Sequence, residues 1–160
     1  MRKKSGFSAF ELVVALAIMA IIAAFVTPNY LTWLRSYRLR GATTNLVSDI
    51  EMAKIRAIRE NSFVVVQFAA DGYTIFVDNG EPSGTSGDWL ANGTEAILRE
   101  RDMPPGVRID LAEVDFDNER TRFNGRGIPP DIAGPETIPI KNSSDTKEIT
   151  INRLGYMNVQ

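Results

Sequence analysis

Every residue from Leu12 to Val26 is apolar. Written as one helix from Phe7 to Val26, this stretch is about 30 Å long at roughly 1.5 Å per residue, enough to cross the hydrocarbon core of a bilayer. Pro28 follows it, and a proline within a helical pattern removes one hydrogen bond and bends the axis, so a continuous, bent helix is expected. Beyond it Leu31, Leu34, Ala42, Leu46, Ile50, Ala53 and Ala57 recur at three- and four-residue spacings as far as Glu60. That is the period of a helix with one apolar face, and the face requires a sheet to cover it. The opposite face carries Arg35, Arg38, Arg40, Asp49, Glu51, Lys54, Arg56 and Arg59, and reads as a solvated or subunit-facing surface. Tyr30, Trp33 and Tyr37 lie just past the apolar run, where aromatic rings anchor a helix at a membrane interface or, alternatively, pack against neighbouring subunits.

After Asn61 the period changes from helix to strand. Phe63 to Phe68 is rich in β-branched and aromatic residues, Asp71-Gly72 is a turn, and Tyr73 to Val77 completes a hairpin. The first strand is apolar on consecutive positions, so both its faces are expected to be covered, by the helix on one side and more sheet on the other. Residues 79 to 93 hold Gly80, Pro82, Gly84, Gly87 and Gly93 among Ser, Thr, Asp and Asn. They read as a long surface loop, with Trp89-Leu90 as its tether. Further strands are expected at Glu95–Arg101, Val107–Leu111, Thr121–Asn124, Thr137–Lys141, Glu148–Asn152 and Tyr156–Val159. One long helix followed only by strands predicts an α+β fold, with the helix packed on an antiparallel β-sheet or β-sandwich.

Composition narrows the chemistry. The 160 residues include no cysteine and no histidine, which removes disulfides, the commonest general base and the commonest metal ligand. No catalytic residue, cofactor or metal site is expected. Asp115-Phe116-Asp117-Asn118-Glu119 bunches carboxylates, but lacks the glycine and terminal glutamate of an EF-hand and reads as a solvated acidic loop. Gly125-Arg126-Gly127 has neither the Lys-Ser/Thr nor the helix of a phosphate loop and reads as a turn.

Two features of the N-terminus remain. Arg2, Lys3 and Lys4 precede the apolar run and by the positive-inside rule hold that end in the cytoplasm. Glu11 lies at the head of the run, and a carboxylate in hydrocarbon costs on the order of 2.5 kcal/mol or more, so it requires a partner. A cut after Gly6 creates an amine on Phe7, four residues before Glu11. The basic leader, Gly6-Phe7, Glu11 at the fifth position after the cut, the apolar helix and Pro28 at the twenty-second together resemble a type IV pilin or type II secretion pseudopilin. Phe63–Val77 directly after the helix, Arg122-Phe123-Asn124-Gly125-Arg126-Gly127, and the closing strands at Glu148–Val159 resemble the pseudopilin H and FimT branch of minor pilins.

The resemblance implies a leader at 1–6, a transmembrane and filament-core helix at 7–28, its amphipathic continuation at 29–60 and a β-rich globular domain at 61–160. It implies cleavage between Gly6 and Phe7 by a prepilin peptidase, N-methylation of Phe7, and pairing of Glu11 with the amine of a neighbouring subunit. The implied protein is a structural subunit, not an enzyme, held first in the bacterial inner membrane with its globular domain in the periplasm. Its implied partners are other pilin subunits, an inner-membrane assembly platform and, before assembly, lipid. Major-subunit and DNA-uptake roles are the alternatives. Nucleic acid is an unpromising partner: removing Arg2, Lys3 and Lys4 from the 18 basic residues leaves 15 against 20 acidic ones. Arg120, Arg122, Arg126, Lys147 and Arg153 are interleaved with carboxylates, and Leu154-Gly155-Tyr156 lacks the additional arginine of DNA-binding relatives.

Overall fold

The computed structural model describes residues 8–80, 85–91 and 95–160. Among the described residues its order is one α-helix, α1 (Ala9–Glu60), then eight strands: β1 (Phe63–Ala69), β2 (Gly72–Asp78), β3 (Ile97–Asp102), β4 (Arg108–Ile109), β5 (Arg120–Phe123), β6 (Glu136–Lys141), β7 (Thr146–Ile151) and β8 (Met157–Val159), with two short 3-10 turns, Leu111–Glu113 and Asp117–Glu119, between β4 and β5. The chain divides into two compact units at the Leu34–Arg35 junction. Both sheets belong to the second unit. They are four-stranded and antiparallel, ordered β3-β2-β1-β5 and β4-β6-β7-β8.

The buried stripe of α1 is Leu39, Ala42, Leu46, Ile50, Ala53 and Ala57, again at three- and four-residue steps. It starts at Leu39, whereas Leu31 is exposed. Alternate residues of both sheets close over it. Val64, Val66 and Phe68 of β1, Ile75 and Val77 of β2, and Ile138, Ile140, Ile149 and Ile151 of β6 and β7 join the stripe in one cluster. Each buried isoleucine contributes about 2 kcal/mol of burial. Trimming Ile50 to Ala would cost about 3 kcal/mol, because the close-packed surroundings cannot collapse into the space.

Val65 and Phe76, cross-strand partners in β1 and β2, are also fully buried but lie outside that cluster, on the other face of the sheet. The expectation of more sheet there is replaced by a loop. Ser86–Leu90 is fixed there by Asp78, itself inaccessible to solvent: its carboxylate accepts the Gly87 and Trp89 N–H groups at 2.6 and 3.0 Å. Arg122, opposite Val65 on β5, lies between two rings, 4.1 Å from that of Trp89 and 4.5 Å from that of Phe63. Trp89 takes φ of 69°, an uncommon conformation for a bulky residue, and these bonds hold it there. Trp89 is the tether; Leu90 beside it is exposed.

A second polar group is buried at the helix. Asp49, expected on the solvated face, is only 6% exposed. Its Oδ2 accepts the Tyr73 hydroxyl at 2.6 Å and the Arg101 Nε at 2.9 Å, and Arg99 Nε lies 3.4 Å from Oδ1. Three elements thus meet on one carboxylate, which explains its burial: a charge is tolerated inside when hydrogen-bonded and paired. Burial first, and then the bond to Asp49, push the Tyr73 phenol far above its ordinary range.

Asp49→Ala strands Tyr73 and two arginines, and is expected to lower unfolding stability by about 2 kcal/mol, discounted because both arginines are partly exposed. Tyr73→Phe should cost about 1 kcal/mol. Because the folded-state pKa of Tyr73 is raised, its contribution is complete below the unfolded value and declines as pH rises past about 10. Urea unfolding of the detergent-solubilised protein at neutral and alkaline pH checks both: the alkaline loss should be smaller in Tyr73→Phe, and equal losses would assign it elsewhere.

Candidate assembly site

The first turn of α1 explains how Glu11 is held. Ser8 precedes the helix, and its hydroxyl accepts the Phe10 N–H at 3.3 Å, while Glu11 Oε2 reaches back to accept the Ser8 N–H at 2.9 Å. Ser8-x-x-Glu11 is thus a reciprocal capping arrangement, in which two N–H groups left over at a helix start find side-chain acceptors. The positive end of the helix dipole favours a carboxylate at this place as well. The S-x-x-E spacing that signals this cap is present in the sequence at Ser8 and Glu11. Gly6 and Phe7, the expected cleavage and methylation residues, lie outside the described residues, as do Arg2, Lys3 and Lys4.

Leu12 to Val26 point outward around the helix, all exposed apart from half-exposed Ala15. This stretch is long and apolar enough to serve as a membrane anchor. A soluble helix would bury one face; this one has none to bury. Around position 28 the helix continues without interruption, although proline supplies no N–H to the carbonyl four residues earlier. The neighbouring polar side chains bond inward rather than out: Thr27 Oγ1 donates to the Ala23 carbonyl at 2.8 Å and Asn29 Nδ2 to the Phe25 carbonyl at 3.1 Å. Polar side chains that return their hydrogen bonds to their own backbone are compatible with lipid. Tyr30 and Trp33, with ring centroids 6.0 Å apart, are both exposed one turn later.

The other residues singled out from sequence are mostly engaged in the fold. Arg122, its side chain 14% exposed, makes a paired contact to Asp131 at 2.7 and 3.1 Å and donates to the Gly87 carbonyl at 2.8 Å. Arg120 donates to the Trp89 carbonyl at 3.1 Å. Arg126 is exposed on its turn, where Asn124 Oδ1 accepts the N–H groups of Arg126 and Ile128. A twin of this turn lies against it, with Asn152 Oδ1 accepting from Leu154 and Tyr156 and Gly155 beside the Gly127 carbonyl. Both need glycine at the fourth position, Gly127 and Gly155, at φ of 72° and 73°. The shared N-x-x-G spacing was the unread signal for them.

In the acidic loop, Asp115 Oδ2 accepts the Thr137 N–H at 2.9 Å, while Asp117 and Glu119 are exposed. Burial, and then Asp115 and Asp117, raise the Glu136 carboxyl above its ordinary range. Among the described residues no group of three or more Asp or Glu side chains is arranged to hold a metal ion.

Residues 42–155 match the model of the type II transport protein GspH family. The chain is 26% identical to the pilin-like protein PilA1 of Thermus thermophilus, over 95% of its own length and 96% of that protein's. Its fold resembles the crystal structures of the type IV minor pilin FimU from Pseudomonas aeruginosa. One superposes with a TM-score of 0.59 at 15% identity, covering 80% of this chain and 92% of that one. The other crystal form gives 0.54 at 17% identity, over 76% and 91%. With a family match across more than half its length and an outward-facing apolar helix leading into a pilin-like α+β domain, this chain belongs to the GspH/FimT family of pilin-like proteins.

Proposed function

We propose that this protein is a minor subunit that starts or caps a filament of pilin-like subunits, in a type II secretion pseudopilus or a type IV pilus. The observation that carries the reading is Glu11, a carboxylate in the first turn of a helix whose next fifteen residues are apolar and outward-facing. In the proposed sequence of events a prepilin peptidase cuts between Gly6 and Phe7, the Phe7 amine is methylated, and the mature helix waits in the inner membrane for an assembly platform to pass it to sister helices. Lipid tails and sister helices are equally apolar, so Leu12 to Val26 gain little hydrophobic energy from the exchange. Glu11 distinguishes the two states. In the lone subunit its carboxylate accepts a neutral backbone N–H; in the filament a neighbour's charged Phe7 amine offers a stronger, charge-assisted bond.

The proposed orientation, N-terminus in the cytoplasm and globular domain outside, rests on the processing motif more than on charge. Arg35, Arg38 and Arg40 follow the span as Arg2, Lys3 and Lys4 precede it. A large domain crosses with little regard to such counts. The bend assigned to Pro28 is part of the same proposal, aiming the helix into its bundle.

A DNA-uptake role is disfavoured by the placement of the arginines. Duplex binding draws on Lys and Arg free to neutralise phosphates, whereas Arg122 is stacked and doubly bonded and Arg120 holds the Trp89 carbonyl.

Coexpression with a prepilin peptidase is expected to yield a mature chain beginning at Phe7, read as intact mass. An uncut chain, or a start at any residue other than Phe7, would contradict the assignment. For nucleic acid, the full-length protein in detergent should show no duplex complex tighter than the non-specific range, about 10⁻⁴ to 10⁻⁶ M at physiological salt. A submicromolar, salt-sensitive complex that Arg126→Ala weakens would promote the uptake role.

A further inference from the structure

A strand at the edge of a sheet leaves a row of N–H and C=O groups unpaired, and charges or short length are the ordinary ways of blocking it. Of the four edge strands, β3 carries consecutive charges from Arg99 to Asp102, β5 carries Arg120 and Arg122, and β4 is two residues long and begins with Arg108. β8 is different. Its pairing runs on into both flanks: the Asn152 N–H donates to the Tyr156 carbonyl at 3.0 Å, and Glu148 and Gln160 exchange backbone bonds at 3.2 and 3.0 Å. From Tyr156 to Gln160 there is neither a charge nor a proline. Hydrogen-bonded pairs alternate along an antiparallel ladder, so Glu148–Gln160 and Thr150–Asn158 face each other while Met157 and Val159 turn their N–H and C=O groups to the open edge.

Beside that edge, between β8 and α1, runs a groove of about 370 Å³ lined by Arg40, Thr43, Thr44, Val47, Lys147 and Val159. Its hydroxyls turn back to the helix: Thr43 Oγ1 donates to the Leu39 carbonyl and Ser48 Oγ to the Thr44 carbonyl, both at 2.9 Å. The wall is therefore apolar, and the rim is cationic. Neither Arg40 nor Lys147 makes an ion pair among the described residues. The neighbouring carboxylates are engaged or turned away. Glu51 lies 3.9 Å from Lys54, Asp110 is paired with Lys141, Asp145 Oδ1 accepts the Thr146 N–H at 3.0 Å, and Glu148 alternates with Lys147 onto the other face of β7. We infer that β8 is a docking edge for an extended segment of a partner protein, one whose inward face sets an apolar side chain beside a carboxylate. Main-chain bonds to Met157 and Val159 hold the added strand, the apolar side chain fills the groove against Val47 and Val159, and the carboxylate meets Arg40 and Lys147. A second copy of β8 fits poorly, because it brings no carboxylate and adds a further Arg40 and Lys147. The inference goes beyond assembly through Glu11 and stands or falls separately from it.

The test uses the full chain in lipid nanodiscs and a fluorescent octapeptide with threonine on one face and valine alternating with glutamate on the other. Its anisotropy should rise saturably with protein. Methylating the peptide's backbone amides should weaken binding about tenfold or more, because the main-chain donors are lost. Val159→Pro should do the same, since it removes an outward N–H and no bond to β7. Arg40→Gln/Lys147→Gln should weaken binding several-fold and flatten its salt dependence, and a peptide with lysine in place of glutamate should not bind. Absence of saturable binding at millimolar peptide would overturn the inference, as would binding indifferent to amide methylation. The methylated peptide decides the matter even if Val159→Pro fails to fold, which circular dichroism reports. A wild-type dimer in sedimentation that Val159→Pro dissolves would give the edge to a second copy and equally overturn it.

Discussion

A single helix has to satisfy two unlike surroundings, and the remainder of the structure follows from how it does so. Between Leu39 and Ala57 its apolar positions are confined to one face, and two antiparallel sheets close over that face to make the core. Between Leu12 and Val26 they occupy every face, so no protein layer of this chain's size can cover them and the stretch needs lipid or other helices. Membership of a family of pilin-like subunits supplies one candidate for those surroundings, the helices of other subunits. A carboxylate at the head of such a helix is the costly part of the design, and the Ser8 N–H is the partner it keeps while alone.

Inside the domain, buried polar groups set how the elements align. Asp49 ties α1 to β2 and β3 through Tyr73, Arg99 and Arg101, at a place where apolar packing alone would tolerate sliding of the helix along the sheet. Asp78 and Arg122 do the same for the loop that lies on the outer face of the first sheet, and hold Trp89 in a backbone conformation it would not adopt unaided. With no disulfide available, such carboxylate-centred bonds are the directional fasteners of the fold. Their cost is desolvation, which is offset only because each carboxylate has two or more donors.

Much of this was legible in order but not in depth. The eight strands fall close to the runs of β-branched and aromatic residues and between the Gly, Pro and Asn breaks, since alternation and turn chemistry are local properties. The α1 stripe was legible for the same reason, apart from its start, because Leu31 and Leu39 have the same chemistry and only the reach of the sheets separates them. Asp49 was misassigned to the solvated face: its partners lie 24 and 52 residues away, and a charge on a helix reads as exposed until they are known. Arg122 was legible only as one of the basic groups weighed for nucleic acid, because Trp89, on which it stacks, lies 33 residues earlier in the chain. At the N-terminus the spacing of Gly6, Phe7, Glu11 and Pro28 carried the family resemblance, while the capping role of Glu11 required its hydrogen bonds to be seen.

The most direct test of the proposed assembly separates the two functions that Glu11 combines. Glutamine can accept the Ser8 N–H as glutamate does but brings no charge to a neighbour's amine, whereas alanine removes both. The measurement is the amount of each variant recovered in filaments sheared from cells, relative to the amount processed and inserted in the membrane. If ion pairing between subunits is the register device, Glu11→Gln and Glu11→Ala are processed and inserted normally but both fall far below the wild type in the filament fraction. Recovery of Glu11→Gln at the wild-type level, with only Glu11→Ala depleted, would show that the carboxylate is a helix cap alone and contradict the account.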